Sequence, residues 1–172
     1  IKIYKYIYIK YLLFKMVEKY EPKFILLEQF KRSELTNLNN LYNMVSSIEK
    51  LEELFFTNNS HERNSLLKYE IMASIKQLDD YLLNMSSLSK VEISFVYFVK
   101  SYLLDRLPEY LKIAEESANK SLKLNPFIAD SYNCIAHIIW KKGEIDLAQN
   151  YFLQALQINP KDKSTLRNLS MI

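Results

Sequence analysis

The 172-residue chain contains only one glycine, one cysteine and two histidines. A single glycine cannot spell GxGxxG or GxxxxGK[ST], so the usual phosphate-cradling loops are excluded. Tight type I′ and II′ hairpins also want glycine, which argues against a meander of strands. One cysteine makes no intramolecular disulfide, and His61 and His137 are too far apart in sequence to read as a zinc pair. Cys134 and His137 do share a helix face at i, i+3. Two ligands without a supporting Asp or Cys do not make a metal centre, so no metal and no cofactor is expected. Cys134 itself reads as a small core residue rather than a nucleophile. An excess of one charge is missing too. The 23 basic and 20 acidic residues leave a net charge of +3, too small and too evenly spread to argue for nucleic acid.

Long hydrophobic runs are also absent. In IKIYKYIYIKYLLFK, the first fifteen residues, lysine interrupts every apolar stretch, so none approaches the length that spans a bilayer. No uninterrupted core and no small-residue cleavage site mark a secretory signal. Residues 1–16 are therefore read as an unstructured or spurious leader, with Met16 as the natural start. The rival reading is an amphipathic segment lying on a membrane surface.

What the chain does have is helical periodicity. Leu41, Val45, Ile48, Leu51 and Phe55 step by fours and threes along one stripe, with Glu49, Lys50, Glu52 and Glu53 off it. TNNSHERN, Thr57–Asn64, breaks the pattern with turn formers. A second stripe follows through Leu67, Ile71, Ile75, Leu78, Leu82 and Met85. Residues 17–88 should thus hold a long helical hairpin. Glu21–Phe30, after Pro22, should extend its first helix or precede it as a short one.

From residue 89 the pattern repeats. Ser89 with Glu92 is a capping box that starts a helix near Lys90. Pro108 marks the first turn of the next helix, which Asn125-Pro126 ends. Asn159-Pro160 ends another 34 residues later, and Ala114 returns as Ala148, Leu122 as Leu156, Leu124 as Ile158. A 34-residue period is that of the tetratricopeptide repeat, a helix-turn-helix unit. Between 129 and 162 the pattern fits position by position. Tyr132, Ile135, Ala136 and Ile139 take the first-helix spacing, and Ala148, Phe152 and Pro160 the second. Gly143 falls at the turn between them, where φ > 0 ends the first helix. Small residues at Ala136, Ala148 and Ala155 let the two helices approach, with Phe152 filling the space beside them. Trp140 should pack between repeats.

The copy at 95–128 is degenerate, with Tyr102 where a small residue belongs. A third begins at 163–172, with Leu166 and Leu169 as its first core positions. The fold class expected is all-α: a right-handed array of tetratricopeptide-type repeats over 89–172, preceded by a long helical hairpin and truncated before its C-terminal repeats. An array that stops inside a helix lacks its cap, so the sequence reads as a fragment.

LPEYLKIAEESANKSLKLNP, then WKKGE, then NLSM resemble the amino-terminal part of the tetratricopeptide repeat protein 5 (Strap) family. That family carries P-x-Y-x3-AEE-x3-K-x2-KL-x-P, WKKGD and NLSM at the same spacing. The resemblance is specific over about 107–171 and loose over 38–106. It implies a non-enzymatic adaptor. Members read the amino terminus of nascent tubulin at the ribosome and trigger decay of tubulin messenger RNA. They are also linked to transcription coactivators in stress responses, and end in an OB-fold domain. By the same resemblance an arginine that contacts the peptide is expected two residues past Ile172. The protein should then act in the cytoplasm, and in the nucleus under the coactivator reading.

In such repeats the first helix lines a concave groove through its second, fifth, ninth and thirteenth positions. These are Asp130, Asn133, His137 and Lys141, followed by Ser164, Arg167 and Met171 in the next copy. Asn133 and Lys141 fall on matching family positions, and Asn133 could bond the backbone of an extended peptide through both amide groups. The bland alternative is a solvated polar face. Three function classes are weighed. A peptide-binding scaffold leads, either for nascent tubulin or for transcription coactivators. A co-chaperone module that clamps a terminal carboxylate is disfavoured, because the preceding copy offers Val96, Val99 and Leu103 at the groove positions. An enzyme is disfavoured because no acid, base and nucleophile come together. Neither sequence-specific nucleic-acid binding nor membrane insertion is expected.

Overall fold

The computed structural model describes residues 36–55, 61–84, 86 and 88–172. The chain divides into two units, 1–39 and 40–172, and only residues 36–39 of the first are described. The leader expected at 1–16 and the helix expected near 21–30 lie outside the described residues. Every regular element among the described residues is helical: α1 (Thr36–Phe55), α2 (His61–Leu83), α3 (Lys90–Leu104), a 3-10 turn (Pro108–Tyr110), α4 (Leu111–Leu124), α5 (Ala129–Lys141), α6 (Ile145–Ile158) and α7 (Lys163–Leu169). Consecutive helices pack in pairs, α3 with α4 and α5 with α6, and the pairs stack through α4 on α5 and α6 on α7. This is an all-α tetratricopeptide-type array.

Local chemistry sets the helix ends. At Ser89 the capping box is complete: Ser89 Oγ accepts from the Glu92 N–H at 3.2 Å, and Glu92 Oε2 accepts from the Ser89 N–H at 2.6 Å. Pro108 opens the 3-10 turn that leads into α4, and Pro126 follows the extended Asn125 that ends α4. Gly143 has φ 87°. Its N–H donates to Trp140 O at 2.9 Å, and Glu144 N–H donates to Ile139 O at 3.2 Å. Those two bonds are the paired closure of a Schellman motif, which requires the left-handed residue that glycine supplies without strain. At α7 the cap is Asp162, which accepts the Thr165 N–H at 3.0 Å.

The core of the complete repeat is built from Ala118, Ile135, Ala136, Ile139, Ala148 and Phe152, with Leu122, Trp140, Tyr151 and Leu169 packed against it. The alanines expected at the close approach, and Phe152 beside them, have no exposed surface. Repeat symmetry extends to the stacking contact. Ser121 and Ser131 hydroxyls lie 2.9 Å apart in the buried space between α4 and α5, and the residues 34 positions on, Ala155 and Thr165, are again fully buried. One expectation fails here. Leu166 is 47% exposed, and Thr165 and Asn168 occupy the buried face of α7, with Leu169 half-buried behind them. The Asp162 cap fixes the phase of this short helix so that Thr165 turns inward, which carries Leu166 out.

In the first copy α4 sits 34 residues before α6 at both ends, but α3 ends at Leu104, short of the position that spacing assigns it. Asp105–Leu107 and the 3-10 turn take up the difference. Of the stripes expected upstream, Leu41, Val45 and Ile48 are buried on α1 and Ile71, Ile75 and Leu78 on α2, with Leu67 and Leu82 half-buried; the side chains of Leu51, Phe55 and Met85 lie outside the described residues. Helix α2 begins at His61, inside the stretch expected as a turn. Tyr102, the misfit of the degenerate copy, faces α1. Its hydroxyl donates to Glu49 Oε1 at 2.7 Å, and the Arg106 guanidinium lies 4.2 Å over its ring while donating from Nε to Glu52 at 2.8 Å. Burial, assisted by the charge of Glu49 and opposed by Arg106, pushes the Tyr102 phenol far up. Burial likewise raises Glu49, against the lowering effect of the Tyr102 hydrogen bond. A second tie, the Lys100–Asp79 ion pair, joins α3 to α2.

Candidate functional site

Residues 130, 133, 137 and 141 are spaced by three and four along α5, which puts them on one face of the helix. Three of the four reach neighbouring helices. Asn133 turns to α7: its Nδ2 donates to Ser164 Oγ at 2.9 Å, and its Oδ1 accepts from Asn168 Nδ2 at 3.1 Å. The amide that was expected to bond a peptide backbone is thus already bonded on both its groups to the next repeat, with one N–H and one lone pair left over.

His137 and Lys141 turn the other way, to the end of α3. His137 Nδ1 lies 2.6 Å from Asp105 Oδ2, and Lys141 Nζ donates to Asp105 Oδ1 at 3.0 Å and to the Asp105 carbonyl at 2.6 Å. Burial would push the Asp105 carboxyl up, but the His137 hydrogen bond and the charges of His137 and Lys141 outweigh it and hold the group below the usual carboxylate range. The His137 ring also meets Trp140 edge-on at 5.9 Å.

Asp130, in the first turn of α5, has no hydrogen bond or ion pair with any described residue. Burial, with the charge of Asp162 adding to it, pushes its carboxyl up to about 7. On α7, Ser164 is drawn into the Asn133 contact, while Arg167 and Met171 are exposed and not joined to the others.

Sequence reasoning missed three members of this network. Asp105 anchors two of the expected residues, and the only hint of it is an acid at the end of α3. Asp162 carried a readable signal, Asp-x-x-Thr at a helix start. Asn168 sits four residues after Ser164 and so on the same side of α7.

Little on this face resembles a reaction centre. Cys134 is buried, its sulfur 3.2 Å from Ser101 Oγ, and burial with the nearby Asp105 charge pushes its thiol up to about 12. A thiol so protonated is inert as a nucleophile. Among the described residues no cluster of His, Cys, Asp and Glu could hold a metal ion, and no helix is long and apolar enough to cross a membrane.

The tetratricopeptide repeat family model matches residues 129–162, the segment bounded by the start of α5 and the Asp162 cap. Tetratricopeptide repeat protein 5 of Bos taurus is 38% identical over 69 residues, covering 40% of this chain and 16% of that protein. The Homo sapiens protein of the same name is 36% identical over 69 residues, with the same coverage of 40% and 16%. That of Mus musculus is 35% identical over 74 residues, covering 43% of this chain and 17% of its own length. The match thus spans about one sixth of each relative. Residues 129–162 are a tetratricopeptide repeat, in a chain that resembles tetratricopeptide repeat protein 5 over about two fifths of its length.

Proposed function

We propose that this chain is a protein-interaction adaptor that holds an extended peptide along the polar face of α5 and α7, and that the peptide is the amino terminus of nascent tubulin. The observation that carries the first half is the fixed relation of the first helices of successive repeats. Asp105 binds α5 to α3, and Asn133 binds α5 to α7, so the face is held in one geometry before any ligand arrives. A preorganised surface loses less freedom on binding. An extended peptide brings unpaired backbone groups, which polar side chains on such a face can satisfy. The second half rests on the resemblance to tetratricopeptide repeat protein 5 and on the motifs that carry it. Under this reading the adaptor works in the cytoplasm, at the ribosome.

The terminal-carboxylate clamp of a co-chaperone is less well supported. It needs cations at set positions across adjacent repeats, and Lys141 is bound to Asp105 while the preceding copy offers Val96, Val99 and Leu103. A photoreactive tubulin amino-terminal peptide tests the proposal. Label confined to α5 and α7 supports it, and label spread over α2 or the exposed Phe127 loop contradicts it.

A further inference from the structure

Phe127 stands in the turn between α4 and α5 with 77% of its surface exposed. Its backbone is fixed. Pro126 precedes it, and its N–H donates to Asn125 Oδ1 at 3.1 Å, which closes an Asx-type turn. The same turn recurs 34 residues on, where the Lys161 N–H donates to Asn159 Oδ1 at 3.3 Å across Pro160. There the third position presents an exposed lysine. The turn itself therefore makes no demand for an aromatic ring, and a charged side chain serves it as well.

Single exposed apolar residues are ordinary on protein surfaces. Phe127 is not single. It forms one wall of an open recess of about 470 Å³, whose other walls are Pro126, Tyr132, Gln154, Gln157 and Ile158. Tyr132 is half-buried and meets the Tyr151 ring at 6.5 Å, so its wall is backed by packing between α5 and α6. Ile158, at the end of α6, is exposed as well. None of the six lining residues carries a charge.

A patch that carries both a projecting ring and a recess beside it is complementary to itself under a two-fold rotation. Its neutrality favours the same occupant. A partner chosen by charge finds nothing here to pair with, whereas two identical copies meet without like-charge repulsion. We propose that this patch joins two copies of the chain, each Phe127 seated in the recess of the other near the two-fold axis. The two phenyl rings brought together there pack offset or edge-on, as aromatic pairs prefer. Six lining residues a side fall short of the roughly 20–30 of a stable interface, so the dimer is weak and reversible. The polar stripe of 130, 133, 137 and 141 does not include Tyr132. The contact thus goes beyond the peptide-binding reading and does not depend on it.

Sedimentation velocity of the full 172-residue chain tests this. Its average mass should climb toward that of a dimer between low and high micromolar concentration. Phe127→Glu should weaken the association by about tenfold or more, since like charges then meet at the axis. Phe127→Lys should do the same. An equimolar mixture of the two variants should regain the association, because opposite charges then face each other across the axis. Gln157→Arg, on the recess wall, should weaken it too, and decides the matter should the Phe127 variants fold poorly. A parent chain that stays monomeric throughout overturns the proposal and leaves the patch to a different protein. A Phe127→Glu chain that associates like its parent also overturns it, by placing the contact on another face. A mixture no stronger than either variant alone overturns the two-fold arrangement.

Discussion

The imidazole of His137 lies 2.6 Å from the carboxylate of Asp105, across the boundary between two repeats. Asp105 closes the end of α3 and His137 stands midway along α5, so one contact sets the relative position of two first helices. Its carboxyl is held below the usual carboxylate range. A group with a lowered folded-state value adds stability that is present above its unfolded value and lost as pH falls through the folded one. Asp105→Asn should therefore cost about 1–3 kcal/mol near neutral pH. The gap to the parent chain should close on acidification through the carboxylate range. Urea unfolding at a series of pH values measures both.

Asp130 has the opposite sign. Its carboxyl is raised to about 7, so its contribution is complete below the ordinary carboxylate value and is lost as pH rises through 7. Asp130→Asn should match the parent chain in acid below the ordinary carboxylate value, gain on it as pH rises from there, and exceed it above pH 7 by on the order of 1 kcal/mol or more. Thermal melts at the two ends of this range decide the matter. A variant that is less stable at alkaline pH would mean that the carboxylate is compensated.

The close approach of α5 and α6 gives a packing test. Ala148 has no exposed surface and sits against Ala136 and Phe152. Ala148→Leu should cost roughly 1–3 kcal/mol through overpacking. A melt indistinguishable from the parent chain would place the two helices in another register.

Upstream, Tyr102 joins α3 to α1 through its hydroxyl. Tyr102→Phe keeps the ring beneath Arg106 but leaves the Glu49 carboxylate without its donor, at a cost of about 1–2 kcal/mol. Adding Glu49→Gln to this change should recover part of the loss, because the group left unpaired is then neutral. Denaturant titration of the single and double variants checks both steps.

Much of the array was legible because its signals are local. Gly143, the Ser89–Glu92 pair and the prolines after Asn125 and Asn159 each act within one turn of chain. Ala136, Ala148, Ala155 and Phe152 repeat a spacing that has one packing solution. The phase of α7 was not legible, since seven residues hold too few apolar positions to choose between Leu166 and Thr165. Nor was the engagement of the polar face. Whether His137 points to solvent or to Asp105 depends on how far one first helix slides along the next, and that offset is set by packing across the whole stack. The repeat spacing marks Tyr102 as standing where a small residue belongs but does not show why: its hydroxyl bonds Glu49 of α1, which lies outside the repeat.

The central claim is that the α5–α7 face receives an extended peptide, and a titration with one substitution tests it most directly. Asn133 stands at the centre of that face, bonded to Ser164 and Asn168 and with one N–H and one lone pair to spare. The full chain should bind the tubulin amino-terminal peptide more tightly than a scrambled peptide of the same composition. Asn133→Ala should weaken the first by about tenfold, the equivalent of roughly 1–2 kcal/mol, and leave the second unchanged. Equal affinity for both peptides, or an Asn133→Ala chain that binds as tightly as its parent, would contradict the claim.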